Sequence, residues 1–305
     1  MAAGGGTKAV VAALVANSGI AIAKFVGFLL TQSSSMLAES IHSVADAGNQ
    51  ALLLLGGKRA RKAATDEHPF GYGRERYFWA FVVALVLFSL GSLFAIYEGI
   101  EKIRHPHEIE SIEIAFGILG VAIVLEAWSF RTAIIEANHT RGDASMWEFI
   151  RHSKAPELPV VVLEDAGAMF GLLMAFGALV VSEITGDPIW DGIGTLSIGI
   201  LLGIIAVFLA IEMKSLLIGE SASPEHRALI EPAVRESPGA ERLIHMRTLH
   251  VGPDELLIGA KVQFRSDLSV TELAGAINDV ETRIRAAVPI VRPMYIEPDV
   301  FSADR

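Results

Sequence analysis

Apolar residues fall in six long blocks along the first two thirds of the chain, at about 9–30, 37–57, 77–100, 112–135, 160–181 and 189–211. A helix rises about 1.5 Å per residue, so roughly 18–20 apolar residues cross the ~30 Å hydrocarbon layer of a bilayer. Each block is long enough to do so. After Gly219 the pattern changes: the last 87 residues carry 10 Lys+Arg and 14 Asp+Glu and contain no block of membrane length. The pattern therefore predicts an all-α six-helix membrane bundle over residues 1–218 and a small α+β domain over 219–305. The first block follows a single Lys and reads as a retained helix rather than a cleaved signal.

In the C-terminal part, Ser223, Pro224 and Glu225 open a helix: a capping hydroxyl, proline in the first turn, and an acid at the positive end of the dipole. Pro232 is expected to bend or shorten that helix. "RLIHMRTLHV" and "LLIGAKVQF" flank the turn "GPDE" and predict a hairpin. "SVTELAGAINDVETRIRAAV" places Leu273, Ile277, Val280 and Ile284 on one helical face, and "IVRPMYI" reads as a last strand. The order αββαβ suits a ferredoxin-like module, a small sheet with helices on one face.

Charge adds an orientation. The 58–76 loop carries Lys58, Arg59, Arg61, Lys62, Arg74 and Arg76, and the 137–159 loop carries Arg141, Arg151 and Lys154. The alternate loops are poor in basic residues or dilute them with acids. Lys and Arg mark the cytoplasmic side, so both termini and the C-terminal domain are expected in the cytoplasm, with the cell membrane as the expected location. The net charge of −10 argues against nucleic acid. The absence of cysteine excludes disulfides, thiolate metal sites and cysteine nucleophiles.

The candidate chemistry lies where lipid should be. A charge at mid-bilayer costs several kcal/mol, so it is expected to face the bundle interior and to serve function. In the second block Glu39, His42, Asp46 and Asn49 fall at i, i+3, i+7 and i+10, one stripe along a helix. His42 and Asp46 are neighbours one turn apart and make a half-site for Zn²⁺, Co²⁺ or Fe²⁺. The other reading is a His–Asp hydrogen bond that joins two helices; the intramembrane stripe favours the metal. The fifth block adds the adjacent acids Glu164 and Asp165, which point about 100° apart on a helix. Gly167 and Gly171 follow as a GxxxG seam for close helix approach. Lys24, Glu98 and Glu126 read as structural charges, with Lys24 offsetting an acid and Glu98 pairing with Lys102 at i, i+4.

These residues carry a family resemblance. "SSSMLAESIHSVADAGNQ" resembles the start of the second membrane helix of cation diffusion facilitators, "DEHPFGYGRERY" the loop after it, and "YIEPD" the last strand of their cytoplasmic domain. The resemblance implies a homodimeric metal/proton antiporter of zinc, or in some branches manganese, iron, cobalt or nickel. It also makes the C-terminal domain a dimerisation platform. It implies a tetrahedral transport site with two ligands, four residues apart, from each of helices two and five. Helix two supplies them as His42 and Asp46. On helix five Asp165 matches the second, but the first falls on Val161, which has no lone pair. "VVVLEDAGA" resembles the branch related to the animal zinc transporter nine, where an acid precedes the retained aspartate. Glu164, a water or a neighbouring polar group is then the fourth ligand. Accessory metal sites of the family look degraded: His68 remains in the loop with Tyr72 in place of a later histidine. His245 and Glu297 remain in the C-terminal domain with Tyr295 where a histidine is usual.

Metal binding to the deprotonated ligands and protonation of the empty set give a cycle of exchange. The metal is cargo, and no cofactor is expected. An intramembrane metalloenzyme and a metal sensor are the rival classes. The first needs a substrate pocket beside an open coordination position, and the second needs stronger accessory ligands than this chain carries.

Overall fold

The computed structural model describes residues 5–31, 34–106 and 112–302; among helical residues the side chains of 5, 31, 34–39, 41 and 42 are outside the description, Glu39 and His42 among them. Packing divides the chain into two units, residues 1–58 with 76–214, and 59–75 with 215–305.

The first unit holds the predicted blocks as helices α1 (Gly5–Thr31), α2 (Ser34–Arg59), α3 (Glu75–Val86), α4 (Phe94–Arg104), α5 (Ile112–Arg141), a short α6 (Met146–His152), α7 (Glu157–Thr185) and α8 (Ile189–Ile218). α3 and α4 form one 30-residue span, joined through a π-helical stretch at Leu87–Leu93. Five spans among the described residues are long and apolar enough to cross a membrane. α2 matches them in length with 26 residues, and its polar stripe lowers its hydropathy. The outward faces are apolar: Ile200, Ile204, Val207 and Ile211 recur at helical spacing on α8, and all four are exposed. In water such a stripe would be costly; against lipid tails it is the ordinary surface of a spanning helix.

Inside this unit α1, α5 and α7 pack together. α8 packs against α4 and the π-helical stretch, where Ser92 donates to the carbonyl of Gly199 at 2.8 Å. A Cβ on Gly199 would lie 2.7 Å from the backbone nitrogen of Ile96, so only glycine permits this approach. Gly167 and Gly171 face Ile205 and Ile198. The GxxxG seam of the fifth block therefore meets α8 rather than a helix bearing candidate ligands.

The second unit contains α9 (Pro224–Arg235), β1 (Ala240–Gly252), β2 (Glu255–Phe264), α10 (Val270–Ala287) and β3 (Val291–Pro298). This is the predicted αββαβ order. β2 is central, antiparallel to β1 and parallel to β3. Leu256, Ile258, Ala260, Val262 and Phe264 alternate along β2 into a core with Ile230 and Val234 of α9 and Val280 and Ile284 of α10. Ser223 caps α9, which runs through Pro232 and ends three residues later at Arg235, so the proline costs only the last turn. A reciprocal Ser269–Glu272 capping box starts α10. The loop of residues 59–75 packs on the hairpin end, where a Cβ on Gly73 would lie 2.8 Å from the carbonyl oxygen of Val251.

Candidate metal centre

The first turns of α7 are buried on every side, from Glu157 through Val162 and on to Glu164 and Asp165. That explains how two adjacent carboxylates, about 100° apart, both face protein. They face different helices. Glu164 turns to α2, where Asn49 Nδ2 donates to its Oε1 and Gln50 Nε2 to its Oε2, each at 2.9 Å. Asp165 turns to α5, where Ser129 Oγ donates to its Oδ2 at 2.6 Å. Gln50 is held in turn by Asn17 of α1, whose Nδ2 donates to Gln50 Oε1 at 3.2 Å. A polar chain thus crosses the bundle from α1 through α2 to α7.

Asp46 lies three residues before Asn49 on α2 and is half-buried. It is near enough to Glu164 and to Glu126 of α5 for the carboxylate charges to repel one another. Glu126 is 2% exposed, and its Oε1 has no hydrogen-bond partner among the described residues; the same is true of Asn49 Oδ1. Val161, at the place of the first helix-five ligand, is fully buried and contributes only hydrocarbon. His42 and Glu39 lie outside the described side chains. Among the described residues no three His, Asp or Glu side chains converge on one point as a metal site.

Other predicted partners fall into place. Glu98 pairs with Lys102 at 3.3 Å, and Lys102 also reaches Asp191 of α8 at 3.0 Å. Arg76 and Glu157 form a bidentate ion pair between the starts of α3 and α7, a contact that sequence spacing does not reveal.

The accessory positions are occupied differently. His68 is exposed in a turn with Thr65, its Nδ1 2.9 Å from the carbonyl oxygen of Glu67 and its ring edge-on to Tyr72 at 4.7 Å between centroids. On the sheet, His245 of β1 stands opposite Lys261 of β2, and Lys261 stands opposite Glu297 of β3. The Lys261 ammonium lies 3.0 Å from both Glu297 and Asp299. Its hydrogen bonds to those carboxylates raise its pKa above the usual lysine value and keep it charged. A fixed cation thus sits between the two residues that remain of the degraded accessory site.

The missed members of the intramembrane cluster are Gln50, Ser129 and Asn17. The sequence signal for Ser129 is its place at helical spacing with Ala122, Glu126, Ala133 and Ala137, a small-residue face around one acid that is buried in the structure.

A polar centre wrapped by helices whose outer faces are apolar defines an integral, multi-pass membrane protein. Residues 10–218, more than half the chain, match the family model of the cation efflux transmembrane domain, and the chain belongs to that family. It is 30% identical over 282 residues to the mitochondrial proton-coupled zinc antiporter SLC30A9 of Xenopus laevis, an alignment covering 90% of this chain and 50% of that protein. It is also 30% identical over 265 residues to metal tolerance protein C4 of Arabidopsis thaliana, covering 86% of this chain and 58% of that one. Magnetosome protein MamB of Paramagnetospirillum magneticum is 24% identical over 283 residues, covering 91% of this chain and 89% of the relative. The chain spans about half the length of the zinc antiporters it matches.

Proposed function

We propose that the chain carries divalent transition-metal ions, zinc foremost, out of the cytoplasm in exchange for protons. The observation that carries this reading is the carboxylate cluster of half-buried Asp46 with buried Glu164 and Asp165 between α2 and α7, inside a bundle of the cation efflux family. Carboxylates of one sign, gathered away from water, demand a cation. His42, Asp46 and Asp165 bind the ion. Glu164 is the further acid of the site and balances the metal's charge, its oxygens already engaged by Asn49 and Gln50.

Metal and protons compete for the same lone pairs. Ligands must be deprotonated to bind metal, so metal entry releases protons and protonation expels metal. Either cargo neutralises the cluster, and a neutralised cluster lets the bundle switch between inward and outward openings. Residues 1–218 form the transport domain. Residues 219–305 form a cytoplasmic dimerisation domain of a homodimer, with both chain termini on the cytoplasmic side of the cell membrane. No catalytic role is needed for any residue.

A second reading of the cargo follows from the donor set. One imidazole among several carboxylates is richer in oxygen than the usual zinc site and shifts preference toward Mn²⁺ or Fe²⁺. Proteoliposomes offered Zn²⁺, Mn²⁺, Fe²⁺, Co²⁺ and Ni²⁺ in parallel rank these cargoes. The proposal expects zinc uptake above that of empty vesicles; absence of uptake for every ion refutes it.

A further inference from the structure

We infer that Glu126 is a metal-binding residue of the transport site, supplying from α5 the donor that Val161 does not supply from α7; this rests on the transport reading proposed above. The buried face of α5 is Ala122, Glu126, Ser129, Ala133 and Ala137. Four of its five members are small, and Glu126 alone is ionisable. Ser129 lies one turn beyond Glu126 and donates to Asp165, so this stripe is the face that α5 turns to the acids of α7.

Glu126 is as buried as Asp165 and Glu164, yet its Oε1 has no donor among the described residues. Glu164, by contrast, has an amide on each oxygen. Among the described residues the charges that act on Glu126 are those of Asp165, Glu164 and Asp46, all carboxylates. A buried carboxylate oxygen that finds no donor and only acids among the described residues is costly by itself. A divalent cation bound among them offsets these charges, the described side chains closing on it from positions that do not converge on one point in this structure. With His42, Asp46 and Asp165, Glu126 brings the donors to four, the number zinc prefers. Asn49 Oδ1, also buried without a donor among the described residues, is a further oxygen beside the same cluster.

The test uses the full-length protein in detergent, with Zn²⁺ titrated calorimetrically and Co²⁺ as a spectroscopic probe. Glu126→Gln keeps the shape and removes the charge; zinc affinity is expected to fall at least about tenfold, since even residues that only support metal ligands cost that much. Glu126→His replaces an oxygen donor by nitrogen, and the visible Co²⁺ band is expected to shift. A purely structural Glu126 would lower thermal stability in both variants while leaving zinc affinity and the Co²⁺ band as in the wild type, and that result overturns the inference. Should Glu126→Gln fail to fold, the Co²⁺ spectrum of Glu126→His decides alone. Asp46→Ala separates the two levels. Lost affinity in Asp46→Ala with unchanged affinity in Glu126→Gln removes only Glu126, whereas unchanged affinity in Asp46→Ala removes the transport site itself.

Discussion

Glu164 is where the helix-five departure from the usual ligand pair can be weighed in energy. Its two oxygens accept from Asn49 and Gln50, both at 2.9 Å and both buried. Side-chain hydrogen bonds inside membrane proteins contribute about 0.6 kcal/mol on average and up to ~1.7. Glu164→Ala removes both acceptors and leaves two buried amides without one, so a loss of about 1–3 kcal/mol is expected. Glu164→Gln should cost less. The amide of Asn49 can turn to present its idle Oδ1 to the new side chain, retaining both contacts as neutral ones at a cost near ~1 kcal/mol. Equilibrium unfolding of the detergent-solubilised protein measures the difference. The expected order of stability is wild type, then Glu164→Gln, then Glu164→Ala. An alanine variant as stable as the wild type refutes the reasoning, because the two bonds would then bear no load. Zinc titration of the same samples adds the second readout: a charge-balancing Glu164 predicts weaker zinc binding in both variants.

Two further outcomes follow from the same geometry. Val161→His restores the i, i+4 pair with Asp165 and is expected to raise zinc affinity in calorimetry, at an overpacking cost of about 1–3 kcal/mol because Val161 is fully buried. Residues 221–305 produced alone should be soluble and self-associating yet bind zinc weakly. In the full-length protein Lys261→His should raise zinc binding by removing the cation between His245 and Glu297; equal binding with and without the lysine contradicts that role.

Much of the fold is written in local pattern. Membrane helices follow from run length and the αββαβ order from period and turn chemistry, so each block and each C-terminal element appears where periodicity put it. The π-helical stretch at Leu87–Leu93 left no such mark. It meets α8 through Ser92 and Gly199, more than 100 residues apart in sequence. The candidate site was legible in part. Asp46, Asn49, Glu164 and Asp165 announce themselves as polar residues in apolar helices. What they touch is set by tertiary packing. Glu126 reads as a structural charge from the sequence, and its relation to Asp165 runs through the α5–α7 contact. Lys261 looked like a surface residue because cross-strand register alone sets it between His245 and Glu297.

The central claim is exchange of metal for protons through the intramembrane acids. The most direct measurement is proton movement recorded by a pH-sensitive dye trapped in proteoliposomes while zinc is added outside. The account predicts that zinc entry drives protons out and raises the internal pH in the wild type, and that Asp46→Ala, folded and dimeric, shows neither zinc entry nor pH change. Zinc entry with no proton movement, or wild-type exchange in Asp46→Ala, would contradict it.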